Sequence, residues 1–146
     1  KYKKPIFTSG QNHVRAMKAL GIKRFIGASY SAVQNKIVVD YMTEAGFKVA
    51  SMEPIDVPFA EASHISPEML YSHIKKLCRK NPKADGIYIQ GSAWRVERVV
   101  DLLEQDLGLP VVHANIARAW EIQKRLHVNQ PLKGFGRLYA ELPQLP

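Results

Sequence analysis

The sequence predicts an α/β fold: a parallel sheet with helices on both faces. Three observations carry this. Short apolar segments recur along the chain, at Arg24–Ser29, Phe47–Met52, Ile87–Ile89 and Val111–Val112. Between them lie segments whose apolar residues are three or four apart, the spacing of a helix with one buried side. These helical segments stop at Gly21, Gly46 and Gly108, or before Pro82. Strands alternating with helices of this length build a parallel sheet, because each helix returns the chain to the starting edge.

Pro5–Thr8 reads as a short extended piece. Ser9 and Gly10 open a helix through Leu20, with Val14, Met17 and Leu20 on one side. Arg24–Ser29 is a buried strand. Ser31–Ala45 is a helix whose face is Val33, Ile37, Tyr41 and Ala45, four apart. Phe47–Met52 is the next strand, and Asp56–Ile65 a loop. Ser66-Pro67-Glu68 is a strong helix start: an N-cap, a proline at the first position and an acid in the first turn. Leu70, Ile74, Leu77 and Cys78 form that helix's apolar face. The strand Ile87–Ile89 ends in a small-residue turn, Gly91, Ser92 and Ala93. Val96, Val99, Val100, Leu103 and Leu107 give a strongly periodic helix after it. Val111 and Val112 form the last strand, opened by Pro110. Asn115 is the expected N-cap of a helix carrying Ile116, Ala119, Trp120 and Leu126. The tail Pro131–Pro146 has no clear period.

At 146 residues the chain is one domain's worth, residues 1–146, and 46% hydrophobic content is ordinary for a globular core. No apolar run approaches the roughly 20 residues that span a bilayer. The opening Lys-Tyr-Lys-Lys-Pro leads into no signal-like stretch. A cytoplasmic protein without a membrane partner is therefore expected. Cys78 is the single cysteine, so no intrachain disulfide holds the fold. The net charge is +8, from 21 basic and 13 acidic residues. Its densest clusters are Lys1, Lys3 and Lys4, and then Lys75, Lys76, Arg79 and Lys80. The second cluster lies in the last turns of a helix, where cations suit the macrodipole. No RNP-type aromatic motif, zinc spacing or helix-turn-helix pair accompanies these charges, so no nucleic-acid partner is expected.

Ligands of parallel α/β sheets bind beyond the carboxyl ends of the strands. That rule points to the turns after Ser29, Met52, Gln90 and His113. Backbone N–H groups of Gly91, Ser92 and Ala93, at what reads as a helix start, can cradle an anion. Ser92 adds a hydroxyl, and Tyr30 a phenolic hydrogen from the neighbouring strand end. Each also has a plain structural role, Gly91 in a tight turn and Tyr30 as a rim aromatic. His113 ends the last strand, where an imidazole serves as acid or base, or else caps the next helix. His13, His64, His73 and His127 have no metal-ligand spacing to cysteine or acid, and no metal is expected. Cys78, beside Ile74 and Leu77, reads as a small buried hydrophobe. Trp94 and Trp120 read as helix–sheet packing. Gly134-x-Gly136 lacks the third glycine of a dinucleotide fingerprint, and no Walker-type loop is present.

Several motifs, in order, resemble the aspartate/glutamate racemase superfamily, in its arylmalonate decarboxylase and maleate cis-trans isomerase branch. Gly27-Ala28-Ser29-Tyr30 with Asn35 resembles a strand end of the Thr-Pro-Tyr type followed by asparagine. Val111-Val112-His113-Ala114-Asn115-Ile116-Ala117 with Trp120 is similar to the branch's Pro-Val-Val run. Gly134-Phe135-Gly136-Arg137-Leu138 resembles a closing Gly-Tyr-Gly-Arg-Leu. The turn at Gln90-Gly91-Ser92 resembles the second catalytic turn, where the branch carries a cysteine in a Ser-Cys-Gly or Ser-Cys-Thr context.

The resemblance implies a Rossmann-like sheet forming one domain, the later half, of a two-domain racemase-type protein. The tail 131–146 is a candidate for the partner domain. It implies a cofactor-independent isomerase, racemase or decarboxylase acting on a small carboxylate held by turn N–H groups and hydroxyls. Tyr30, Asn35, Gly91, Ser92, Ala93 and, from the loop, Phe59 are the implied substrate-binding residues, with His113 the candidate catalytic residue. A homo-oligomer is compatible. Glycine has no equivalent of a thiolate, so a thiol mechanism on this half is excluded. Gly91 is instead expected to leave room or admit water on its side of the substrate. A cysteine elsewhere in a longer protein, takeover by His113, and a non-catalytic carboxylate binder all remain open, as does a small-molecule sensing domain built on the same kind of sheet.

Overall fold

A computed structural model describes residues 6–55, 57–95 and 97–146, with Phe59 described by its backbone alone. The expectations placed on Lys1–Pro5, Asp56 and Val96, and on the Phe59 side chain, lie outside the described residues. Four strands, β1 (Arg24–Ser29), β2 (Lys48–Pro54), β3 (Gly86–Ile89) and β4 (Val111–His113), form one parallel sheet in the order β2-β1-β3-β4. The helices are α1 (Ser9–Ala19), α2 (Ala32–Glu44), α3 (Pro67–Lys80), α4 (Val99–Leu107), α5 (Ala114–Arg125) and α6 (Arg137–Glu141). The mixed α/β expectation holds.

Strands β3 and β4 are buried along their whole length and β1 is buried from Phe25 to Ser29, which is why they read as largely apolar runs. The chain moves from β1 outward to β2, then crosses back over β1 to β3. Right-handed crossovers in opposite directions put α2 on one face and α3 on the other. Helix α1 packs on α5, and the Tyr41 ring of α2 lies close to Gly10 of α1, so α1, α2 and α5 share a face. Helices α3 and α4 pack together on the other.

The start of α3 is as its sequence predicts. The Ser66 hydroxyl accepts the Met69 N–H, Pro67 is in the first turn, and Leu70, Ile74 and Leu77 are fully buried. Helix α1 begins at Ser9, as expected, with Thr8 as its N-cap in a capping box with Gln11. Gly108 ends α4 in the left-handed region, at φ 69°.

Four expectations are corrected. The Val33, Ile37 and Tyr41 stripe of α2 points outward, Val33 being 77% exposed and Ile37 66%. The helix instead meets the sheet with Met42 and the half-buried Val38, the pair one residue further round. The segment 56–65 is not all loop: Phe59–His64 forms a 3-10 helix. Helix α4 starts at Val99, so an irregular segment separates it from the Gly91–Ala93 turn. The N-cap of α5 is His113, not Asn115, which lies inside the first turn.

The tail packs on this domain. Helix α6 lies against α5 and β4, and Leu138, Tyr139 and Leu142 are buried. Trp120 Nε1 donates to the Pro143 carbonyl at 3.1 Å, and Lys124 Nζ to the Leu142 carbonyl at 3.0 Å. Glu104 organises this corner. One carboxylate oxygen accepts the Val111 N–H at 2.8 Å and the other the Arg137 N–H at 2.6 Å, joining α4, β4 and α6. On α5, the buried Glu121 is enclosed by Asn12 at 2.6 Å, Arg15 at 2.7 Å and Arg125 at 2.6 Å. Buried carboxylates persist where several donors surround them, as here.

Candidate functional site

Sheet connections reverse direction between β1 and β3, which are neighbours although β2 intervenes in sequence. At such a switch point the loops leave in opposite directions and open a crevice beyond the carboxyl ends. Tyr30 follows β1, and Gln90, Gly91 and Ser92 follow β3. These are the residues the sequence singled out, and the topology brings them together.

The Ala93 N–H donates to the Tyr30 hydroxyl, and that hydroxyl lies 3.5 Å from Ser92 Oγ. The Tyr30 ring meets Trp94 edge-on, with centroids 5.0 Å apart and planes at 70°. Two residues of the next unit grip the turn from behind. His113 Nε2 lies 3.1 Å from the Gly91 carbonyl, and Asn115 Nδ2 donates to the Ser92 carbonyl at 3.0 Å. A trans peptide directs its N–H away from its C=O. With both carbonyls held toward α5, the following amides of Ser92 and Ala93 face the Tyr30 side, as the Ala93 bond shows. The wall therefore presents a phenolic oxygen, a serine hydroxyl and backbone amide hydrogen, a donor set suited to a carboxylate.

The helix-start part of the expectation does not hold. With α4 beginning at Val99, its dipole is not aimed at the Gly91–Ala93 turn. The cradle depends on local amides and hydroxyls.

His113 is fully buried, with both ring nitrogens engaged. The Asn115 N–H can only donate, so Nδ1, 3.3 Å away, is the acceptor and carries no proton. The proton is on Nε2, which donates to the Gly91 carbonyl. Burial is the main cause that lowers the His113 pKa, and the neutral ring is the form these two bonds require. In this arrangement His113 is a positioning residue for the turn. Asn115, anticipated only as a cap, also donates to Glu97 Oε1 at 2.8 Å and accepts from Arg118 at 2.8 Å. A buried strand-end polar residue followed two positions later by asparagine was the available signal for this brace.

Gly91 does not leave room. A Cβ built there would overlap Cδ2 and Cε3 of the Trp94 indole and lie 2.7 Å from Cε2. Trp94 is fully buried. It belongs to the irregular segment and not to a helix, which corrects its reading as helix–sheet packing. Its Nε1–H has no hydrogen-bond partner among the described residues, and packing holds the ring.

Asn35 lies beside the site with its amide engaged. It receives Ser29 Oγ at 3.0 Å and donates to the Met52 carbonyl, bracing the ends of β1 and β2. Cys78 is half-buried, and burial raises its thiol pKa. On the opposite face of the sheet end, Tyr88 OH lies 2.7 Å from His13 Nδ1, and desolvation lowers the His13 pKa to about 4. A cavity of about 220 Å³ lies beside Asn115 and Glu97, walled by Ile116, Leu132, Phe135 and Tyr139. Among the described residues, no group of three His, Cys, Asp or Glu side chains is placed to hold a metal, and no helix is long and apolar enough to cross a membrane.

A family model described as arylmalonate decarboxylase matches residues 2–139. No curated protein sequence matches the chain. Among solved structures, a maleate isomerase variant from Pseudomonas putida S16, with maleate, superposes with a TM-score of 0.85 at 22% identity, covering 94% of this chain and 55% of that one. A crystal structure of arylmalonate decarboxylase gives 0.84 at 19% identity, covering 92% and 60%. A variant of the Nocardia farcinica maleate cis-trans isomerase, with a covalently bound succinylcysteine intermediate, gives 0.81 at 22%, covering 91% and 55%. These likenesses show a shared fold, and the chain spans 55–60% of the length of the structures it matches.

Proposed function

The chain belongs to the arylmalonate decarboxylase family, and from that premise we propose that it is the carboxylate-holding domain of a cofactor-independent isomerase or decarboxylase of small carboxylic acids. One observation carries the reading. Tyr30 OH, Ser92 Oγ and the Ser92 amide converge at the switch point, with the Ala93 N–H holding the Tyr30 hydroxyl in place, while His113 and Asn115 hold the opposing carbonyls away.

Donors fixed in this way suit the charge that develops in such reactions. When a malonate-type acid loses carbon dioxide, the electrons of the broken C–C bond delocalise onto the remaining carboxylate as an enediolate. Preorganised amide and hydroxyl hydrogens stabilise that form more than the starting acid. A proton must then be delivered to the α-carbon. Gly91 stands at the position resembling the family's cysteine, and His113 has both nitrogens engaged. The acid–base group is therefore assigned to a facing domain that completes the pocket.

A second reading, a carboxylate binder without turnover, is favoured by that same lack of an acid–base group at the turn. Calorimetry with maleate and phenylmalonate tests the site: the parent chain binds, and Ser92→Glu, which puts like charge in the cradle, abolishes binding. Unchanged affinity in Ser92→Glu places the site elsewhere. Exchange of the α-proton for deuterium in a protein that includes the facing domain separates the two readings. Binding without exchange favours the binder.

A further inference from the structure

Position 91 is a glycine for want of space and not for backbone conformation. Five glycines of this chain adopt positive φ, and Gly91 is not among them. A residue with a Cβ fits its backbone, and the three atoms nearest that Cβ, at 2.1–2.7 Å, all belong to the Trp94 ring. That ring has little freedom to withdraw, since it is fully buried and the Tyr30 edge lies against it. Tyr30 is in turn tied to the Ala93 amide, one residue before Trp94. The tryptophan thus folds back over its own turn and fills the volume a side chain at 91 would occupy.

We propose that Trp94 is the specificity-determining residue of this turn: its indole seals position 91, so this half of the site can hold a carboxylate but has no room for an acid, a base or a nucleophile. This rests on the carboxylate-site reading above. Proton transfer is then confined to one face of the bound substrate, the face opposite the turn. Restoring a thiol at 91 alone would not restore a two-sided site. The indole must shrink at the same time. Because the buried Nε1–H has no acceptor among the described residues, replacing the ring by leucine removes an unsatisfied polar group along with the bulk.

A double-mutant cycle in a Cys78→Ala background tests this. Gly91→Cys alone is expected to lower Tm by roughly 5–10 °C, through overpacking. In the presence of Trp94→Leu the same change costs less than about 2 °C, which is coupling between the two positions. The thiol at 91 then reacts with a small disulfide reagent at least about tenfold faster than in the single variant. Should Gly91→Cys not fold, Gly91→Ala read in the same two backgrounds reports the same coupling. Equal tolerance of a side chain at 91 with and without Trp94, or equal thiol reactivity in the two backgrounds, overturns the proposal. Failure to bind maleate or phenylmalonate, with the coupling intact, removes the carboxylate reading and leaves the seal standing as a packing feature.

Discussion

His113 Nε2 donates to the Gly91 carbonyl at 3.1 Å, across two neighbouring strand ends. That bond, with the Asn115 N–H on Nδ1, makes the last βα junction a scaffold for the turn before it. A residue whose place on the sheet edge suits acid–base chemistry serves here to orient the donors.

Replacing His113 by alanine leaves the buried Gly91 carbonyl with only the longer Trp94 N–H bond, at 3.3 Å, and opens a small cavity. Urea unfolding is expected to show a loss of about 2–4 kcal/mol. Carboxylate affinity should fall with it, as the Ser92 and Ala93 amides lose their orientation. Unchanged stability and affinity would remove the scaffold role.

Stability should depend on pH through His13. Desolvation, then the nearby Arg118, lowers its pKa from 6.5 to about 4 in the folded chain. The unfolded chain takes up the proton first, so its protonation destabilises the fold. The contribution is complete above about pH 6.5 and is lost as pH falls toward 4, with about 2 kcal/mol gone by pH 5. The lowered pKa of His113 acts in the same direction. Urea midpoints at pH 7.5 and 5, for the parent and for His13→Gln, check this. The variant should show a flatter dependence, and identical slopes would assign the effect to other groups.

Glu104→Gln is expected to release the tail. An amide oxygen can accept from Val111 or from Arg137, but the amide nitrogen cannot replace the second oxygen. A loss of about 1–3 kcal/mol follows from one unpaired N–H. Hydrogen exchange should quicken first in residues 137–142, and uniform exchange across the chain would argue against this local role.

Cys78 should react slowly. Burial raises its thiol pKa, and it lies on α3 next to the buried Leu77. Alkylation at pH 7.5 is expected to be at least about tenfold slower than that of an exposed cysteine peptide. Rapid labelling accompanied by loss of carboxylate binding would bring Cys78 into the site and out of the framework.

Much of the fold is legible in the sequence because its signals are local. The β1 strand reads correctly because a buried parallel strand must be apolar throughout. Helix α3 reads correctly because Ser66, Pro67 and the Leu70–Ile74–Leu77 spacing act within a few residues of each other. The approach of Tyr30 to Ser92 was accessible through a topological rule, since both follow strands of one parallel sheet.

What the sequence does not carry is which side of an ambiguous element meets the core. Helix α2 has two apolar stripes, and only packing against β1 and β2 selects Val38 and Met42 over Val33 and Ile37. The length of the irregular segment after Gly91 was hidden for a similar reason. Val99, Val100 and Leu103 are helical by their own spacing, but nothing local says that Trp94 leaves that pattern to lie beneath Tyr30. Amino-acid order alone specified the strands, most helix boundaries and the polar residues at the sheet edge, each through interactions within a turn or two of chain. The tertiary structure decided that the space beside Gly91 is filled, because Trp94 folds back over its own turn, and that His113 is a brace, because its ring reaches the turn after a neighbouring strand.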